Sequence, residues 1–407
     1  MVCAHVRSGA TTVPVRPNHM PHNITDRPAG PVGIKDIARA LGVSVATVSR
    51  ALQAPGKVSP LTRSRVLDEA RALGYQPNLA ARYLKRRQPV RISVQIPEEI
   101  ALFWRAVRDG IREAAAPFAP VLEIDFRTYR APGQGDIPVF EQVLRDGTDG
   151  LVITPTNPVV WKPYLDEAVR RRLPVVCVVT DAPDSERLTS VSADPFSCGA
   201  MAGELLTRLL PVGGDVAFVT GWLATHEHAL KLRGFQAGVK SAGSPLKATT
   251  IIEAHDDEGE AYQKTVDLLQ SNRDVKAIYV STANSLPVLR AAEDEQRLPA
   301  LTIVTTDLFP ELVPWIREGK IVGTVYQRPI TQGRLALQAL AQYLISGVRP
   351  LSELRVAPHL VMRSNLNFFL ERLGAERDPH FARTIRDVRR TATSSPRHGG
   401  TIAEHAP

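Results

Sequence analysis

From Val90 onward the chain repeats one texture: short apolar runs rich in β-branched residues, separated by stretches with helical spacing. The runs are "VRISVQIP", "VLEIDFRTY", "DGLVITPT", "LPVVCVVTD", "GDVAFVTG", "ATTIIEA", "VKAIYVST" and "LTIVTTD". Between most of them lie segments such as "FWRAVRDGIREAAA", "WKPYLDEAVRRR" and "SCGAMAGELLTRLL". Parallel neighbours need a crossover, and a helix is the crossover that also covers a face of the sheet, so the repetition predicts an α/β doubly wound parallel-sheet fold with helices on both faces. Roughly 280 residues of this texture exceed one hydrophobic core, which predicts two lobes.

The stretch upstream obeys a different rule. In "IKDIARALGVSVATVSRAL", Ile34, Ile37, Ala38 and Leu41 recur at helical spacing and Gly42 supplies a left-handed stop. Ser44 can cap a second helix with apolar positions Val45, Val48, Ala51 and Leu52. Two short helices about a glycine turn form a helix-turn-helix, whose second helix enters the DNA major groove. A third helix follows in "VSPLTRSRVLDEARALGY", with Ser59 as cap, Pro60 at the first position, Val66, Ala70 and Leu73 for the core, and Gly74 as the stop. Charge is concentrated here: residues 34–91 hold twelve Lys and Arg against three acids, a local +9 in a chain of net charge +8. A basic block joined to a near-neutral body is the footprint of a phosphate-binding module.

Three ordered blocks, "IKDIARALGVSVATVSRAL", "VSPLTRSRVLDEARALGYQPN" and "LAARYLKRR", resemble the headpiece and hinge of the lactose-repressor (LacI) family of bacterial transcription regulators. The resemblance implies that Val45 and Ala46 stand where the family varies its choice of operator and that Arg50 completes the base-reading set. Valine and alanine can only touch thymine methyls or exclude bulk, which leaves Arg50 as the guanine reader. Ser44, Thr47, Ser49, Lys57, Ser59 and Asn78 are the candidate phosphate contacts, with helix capping as an equally ordinary role for the serines. The segment from Pro77 is too short to be a stable helix alone. In the resembling family it forms on DNA, pairs with its dimer mate in the minor groove and wedges a leucine between base pairs. Ala81 and Leu84 occupy those positions.

The body is similar to the periplasmic binding protein (type I-like) fold that forms this family's regulatory domain. The resemblance implies three crossings between lobes, near residues 185–195, near Gln327 and near 350–355. Expected organisation is a disordered extension over 1–31, an all-α helix-turn-helix headpiece over 32–76, a hinge over 77–90, a two-lobed effector and dimerisation domain over 91–373, and a disordered tail over 374–407.

Ligands of doubly wound sheets sit at the carboxyl ends of strands. Phe103 and Trp104 follow the first strand as candidate stacking aromatics; Asp181, Asn284, Asp307 and Gln327 stand at strand ends, where carboxylates and amides suit polyol hydroxyls. In "HALKLRGF" the family's usual arginine is replaced by Lys231, and Asp181 is followed by Ala182 where ribose binders carry another arginine. A lysine offers a point charge instead of a planar fork, so the effector class widens to a sugar, polyol or sugar acid. Two histidines in "THEH" do not complete a metal site, and one of that stretch's side chains is expected to border the ligand cleft instead; no phosphate loop or serine elbow appears, so neither cofactor nor enzymatic activity is expected.

Composition sets the remaining limits. Three cysteines are too few for a disulfide framework, no apolar run reaches a membrane span, and "MVCAHVRSGATTVPVRPNHM" lacks the apolar core of a secretory signal. The expectation is a cytoplasmic, sugar-responsive repressor that binds a pseudo-palindromic operator as a homodimer, without membrane contact. A transporter's sugar-binding component or a cytoplasmic sugar enzyme would share the sheets, but neither accounts for the headpiece.

Overall fold

A computed structural model describes residues 33–53, 57–73, 75, 89–98, 101–119, 121–131, 133–241 and 245–375. The chain divides into a small unit, Met1–Pro77, and a large one, Asn78–Pro407.

The small unit holds α1 (Ile34–Leu41), α2 (Val45–Gln53) and α3 (Pro60–Ala72). The Asp36 carboxylate accepts the Gly33 N–H at 2.9 Å, satisfying a donor at the start of α1, and Gly42 ends that helix at φ 65°. Ile37, Ala38, Val48, Ala51, Val66 and Ala70 form the core shared by the three helices. The Arg63 Nε–H reaches back 3.2 Å to the Ala51 carbonyl, tying α3 to α2. Val45 departs from the expected apolar face: it stands at the first turn of α2 and is 40% exposed, while Val48 and Ala51 carry the core contact.

The large unit contains two six-stranded sheets. The first has the order β11-β5-β4-β3-β1-β2, from β1 (Val90–Pro97), β2 (Leu122–Tyr129), β3 (Gly150–Ile153), β4 (Val175–Val178), β5 (Thr189–Ala193) and β11 (Glu353–Val356); every pairing is parallel. The second has the order β12-β10-β9-β8-β6-β7, from β6 (Gly214–Thr220), β7 (Leu246–Glu253), β8 (Val275–Val280), β9 (Thr302–Thr306), β10 (Gly323–Tyr326) and β12 (His359–Met362). Only β12 runs antiparallel to its neighbour. Helices α4 (Ala101–Ala115), α5 (Asp136–Asp146), α6 (Pro158–Arg170) and α12 (Pro329–Ser346) cover the first sheet. The second is covered by α7 (Pro195–Leu209), α8 (His226–Ser241), α9 (Glu258–Ser271), α10 (Leu286–Asp294), α11 (Val313–Arg317) and α13 (Leu366–Ala375). β1 and β6 each have neighbours reached by connections on opposite sides, so each sheet has its switch point there, where a doubly wound fold opens a crevice.

Three crossings join the sheets: after β5, at Asp194; after β10, at residues 327–328; and between β11 and β12, at residues 357–358. The last lies beyond the expected 350–355, because "ELRV" forms an edge strand of the first sheet before the chain leaves it.

Glycines set the closest helix packing. A Cβ on Gly199 would lie 1.9 Å from the Lys231 carbonyl oxygen, and one on Gly234 would lie 2.0 Å from that of Phe196, so α7 and α8 touch backbone to backbone. The contact fixes α8, whose first turns point into the crevice.

Candidate functional site

Two surfaces are candidates for a functional role, one in each unit. In the small unit, Val45, Ala46 and Arg50 lie exposed on α2, and the Arg50 Nε–H donates to the Ala46 carbonyl at 3.2 Å. Ser44 and Ser59 are helix caps: their hydroxyl oxygens accept the backbone N–H of Thr47 at 3.0 Å and of Thr62 at 3.2 Å. Each also shares a 2.8 Å hydroxyl contact with the same threonine. Capping leaves lone pairs, not spare donors in fixed positions, so phosphate contact by either serine requires its hydroxyl proton to turn outward. Lys57 is exposed and Ser49 is half-buried. Asn78, Ala81 and Leu84 lie outside the described residues.

In the large unit a cleft of about 540 Å³ opens at the strand ends. Glu98, Leu102, Phe103 and Ala106 line it from the first lobe, facing Asp256, Asp257, Glu258, Asn284 and Asp307 on the second. A deeper compartment shares Phe103, Asp256, Ala283 and Asp307 with it and is completed by Trp104, Glu227, His228, Lys231, Thr282 and Gln327. Phe103 and Trp104 sit in the first turn of α4 and pack edge to face, centroids 5.1 Å apart. Such a pair presents an apolar wall whose own packing fixes it.

The polar wall is cross-braced. Asp307 follows β9 at φ 67°, a left-handed conformation strained for a residue with a side chain. Its carboxylate accepts the Gln327 backbone N–H at 3.0 Å and the Gln327 side-chain amide at 2.6 Å, pinning the second crossing. Burial pushes this carboxyl up to about 6, against the opposing pull of Lys231 and the Gln327 donors. Asn284 donates its amide to the Asp256 carbonyl at 3.2 Å.

Lys231 reaches the deep compartment, but its charge is not free. The ammonium is 1% exposed, lies 2.5 Å from the Glu227 carboxylate and donates to the Ser281 carbonyl at 2.8 Å. Burial works to lower its pKa, yet the Glu227 carboxylate beside it holds it above the ordinary lysine range. An incoming anion would therefore meet a neutralised pair rather than a cation, which removes the basis for expecting an acidic group there.

Asp181 is placed elsewhere. It is not among the residues lining either compartment; its carboxylate binds both Nε and Nη2 of buried Arg187 and accepts the Ala182 N–H at 2.7 Å. Burial acts to raise this carboxyl, but Arg187, the Ser190 hydroxyl and the Ala182 N–H hold it below the usual carboxylate range. The pair braces the loop between β4 and β5. The structure thus gathers Phe103, Trp104, Lys231, Asn284, Asp307 and Gln327 on one cleft and leaves Asp181 outside its lining.

Sequence reading missed Asp256, and it gave Glu227 and His228 only as members of a stretch one of whose side chains borders the cleft. Glu227 and His228 lie in the "THEH" stretch weighed as a metal motif; among the described residues no group of three or more His, Cys, Asp or Glu side chains could hold a metal. Asp256 follows β7, so the strand-end rule that selected Asp307 would have found it too. His255 and Asp256 adopt consecutive left-handed conformations, φ 51° and 58°, which turn the Asp256 side chain back over Gly221. A Cβ at that glycine would stand 2.5 Å from the Asp256 carboxylate.

Both parts of the chain match known families. Residues 33–78 match the bacterial regulatory proteins of the lacI family, and residues 95–347 match the periplasmic binding protein domain. Catabolite control protein A of Priestia megaterium is 28% identical over 316 residues, covering 74% of this chain and 92% of that one. The sucrose operon repressor of Klebsiella pneumoniae is 30% identical over 260 residues, covering 63% and 75%. The crystal structure of GanP, a glucose-galactose binding protein from Geobacillus stearothermophilus, superposes with a TM-score of 0.65 at 23% identity over 69% of this chain and 99% of that one, a likeness of fold. With a headpiece that matches one family model and a body that matches the other, the chain belongs to the lacI family of DNA-binding transcriptional regulators.

Proposed function

We propose that the chain is a cytoplasmic homodimeric repressor, not an enzyme, that releases or grips a pseudo-palindromic operator according to a small polyhydroxylated effector bound between the lobes of its body. The observation that carries this reading is the cleft: an aromatic wall from α4 faces carboxylates and amides from the strand ends, the pairing that a sugar's apolar face and hydroxyl edge require. The names of a sucrose operon repressor and a glucose-galactose binding protein among its likenesses support a sugar or polyol. No helix among the described residues is long and apolar enough to cross a membrane, which is compatible with a nucleoid-bound protein.

On DNA, the exposed face of α2 supplies the reading side chains, with Arg50 as the sole bidentate donor beside Val45 and Ala46. Thr47, Ser49, Lys57 and the two capping serines set register on phosphates, and Ala81 with Leu84 enters the minor groove. Arg50→Ala should cost about 1–3 kcal/mol on the operator and relax preference at one base pair per half-site. Titration of wild type and variant against operator and scrambled duplexes, at several salt concentrations, measures this. Equal loss on both duplexes would contradict base reading by Arg50.

A further inference from the structure

The cleft is acidic in both compartments. Inside, Glu227, Asp256 and Asp307 face one ammonium, Lys231, already engaged by Glu227. Outside, Glu98 lines the first-lobe wall while Asp257 and Glu258 line the second, and among the described residues Arg290 is the one lysine or arginine on that lining. These carboxylates are not equivalent. Glu227 has Lys231, and both oxygens of Asp307 are held by Gln327. Asp256 is 8% exposed and accepts one hydrogen bond, at 2.7 Å from the Thr282 hydroxyl to Oδ1. Among the described residues no lysine, arginine or histidine nitrogen lies within ion-pair distance of it, and it lines both compartments. A buried carboxylate normally has a cation or a full set of donors, because its ionised form otherwise loses hydration without return. Here the missing partner has a place to come from, the cleft itself.

We propose that the effector is a polyhydroxylated amine, a sugar or cyclitol bearing a protonated amino group, whose ammonium docks on Asp256 while its hydroxyls take Asn284 and the other strand-end groups. This rests on the reading of the cleft as the effector site. The assignment also supplies a drive for closure. Glu98 lies on one wall and Asp257 with Glu258 on the other, so bringing the lobes together concentrates like charge. A cation between them offsets that repulsion, a neutral polyol leaves it, and a sugar acid or sugar phosphate adds to it.

Calorimetric titration of the full chain with matched sets tests the assignment: glucose, glucosamine, N-acetylglucosamine and glucuronate, and the same four derivatives of galactose and of mannose. Within the set that binds, the amine should exceed its neutral parent by about tenfold or more, acetylation should erase the gain, and the acid should bind weakest. Asp256→Asn should remove the amine's advantage, so that in the variant the amine and its neutral parent bind alike. With unaltered protein, raising salt should weaken the amine and not the parent, a check that needs no variant to fold. An acid that binds best, an amine no better than its parent, or an advantage untouched by Asp256→Asn in a folded variant would overturn the charge assignment alone. Failure of every compound in all three sets would contradict the polyhydroxylated-effector reading together with it.

Discussion

Arg187→Ala is expected to destabilise the body by about 3–5 kcal/mol, because it strands a charge in the interior. Asp181 is 2% exposed and keeps only neutral donors, the Ser190 hydroxyl and the Ala182 N–H among the described residues, once the guanidinium is gone. Replacing both members, Asp181→Leu with Arg187→Met, should recover most of the loss, since no unpaired charge then remains. The pH dependence has a defined sign. Asp181 titrates lower in the folded chain than in the unfolded one, so its stabilisation is present above about pH 4 and fades as acid protonates it. Arg187→Ala should remove that acid-side component. Denaturant unfolding of the three proteins between pH 3 and pH 7 measures both effects. A cost under about 1 kcal/mol for the single variant would mean the pair is incidental.

Gly199→Ala should produce the second large effect, and it should reach the cleft. The added methyl has nowhere to go: the Lys231 carbonyl carbon, the same residue's oxygen and the Phe235 nitrogen all lie within 2.8 Å of the Cβ position. These are backbone atoms, so α7 and α8 must separate, at a cost of about 1–3 kcal/mol or more. Because α8 carries Glu227, His228 and Lys231, effector affinity should fall along with the melting temperature. A variant with unchanged melting and unchanged affinity would show that the helices have slack the geometry does not suggest.

The residues differed in how clearly their sequence announced them. The β-branched runs specified parallel sheets because a strand buried on both faces must be apolar along its length. The strands β5, β11 and β12 escaped, since "TSVSA", "ELRV" and "HLVM" are short and lie toward the edges of their sheets, where polar residues are tolerated. β10 was read only as a crossing, being four residues long and ending beside Gln327. Asn284 and Asp307 were reachable through the strand-end rule, but that rule says where a side chain begins and not what it meets. Asp181 satisfied it equally and turned to Arg187, six residues along the chain, at a pairing no spacing argument foresaw. Lys231 was legible as a departure, whereas its neutralisation by Glu227, one helical turn earlier, needed coordinates. Val45 shows the converse. Its apolar character suited a core position, and only its place at the end of α2 left it exposed for contact.

In the proposed function one cleft controls one DNA surface through a shared equilibrium. Operator affinity of the full chain, measured by titration with a labelled duplex selected from a random pool, with and without a saturating cleft ligand, tests it most directly. A ligand acts only through its different affinity for the two arrangements, so the coupling should be about 1–3 kcal/mol and reciprocal: saturating operator must change ligand affinity by the same factor. Asp307→Ala should abolish the response while leaving ligand-free operator binding near normal. A compound that binds in the cleft, with binding lost in Asp307→Ala, yet leaves operator affinity unchanged would contradict the account and reduce the body to a scaffold.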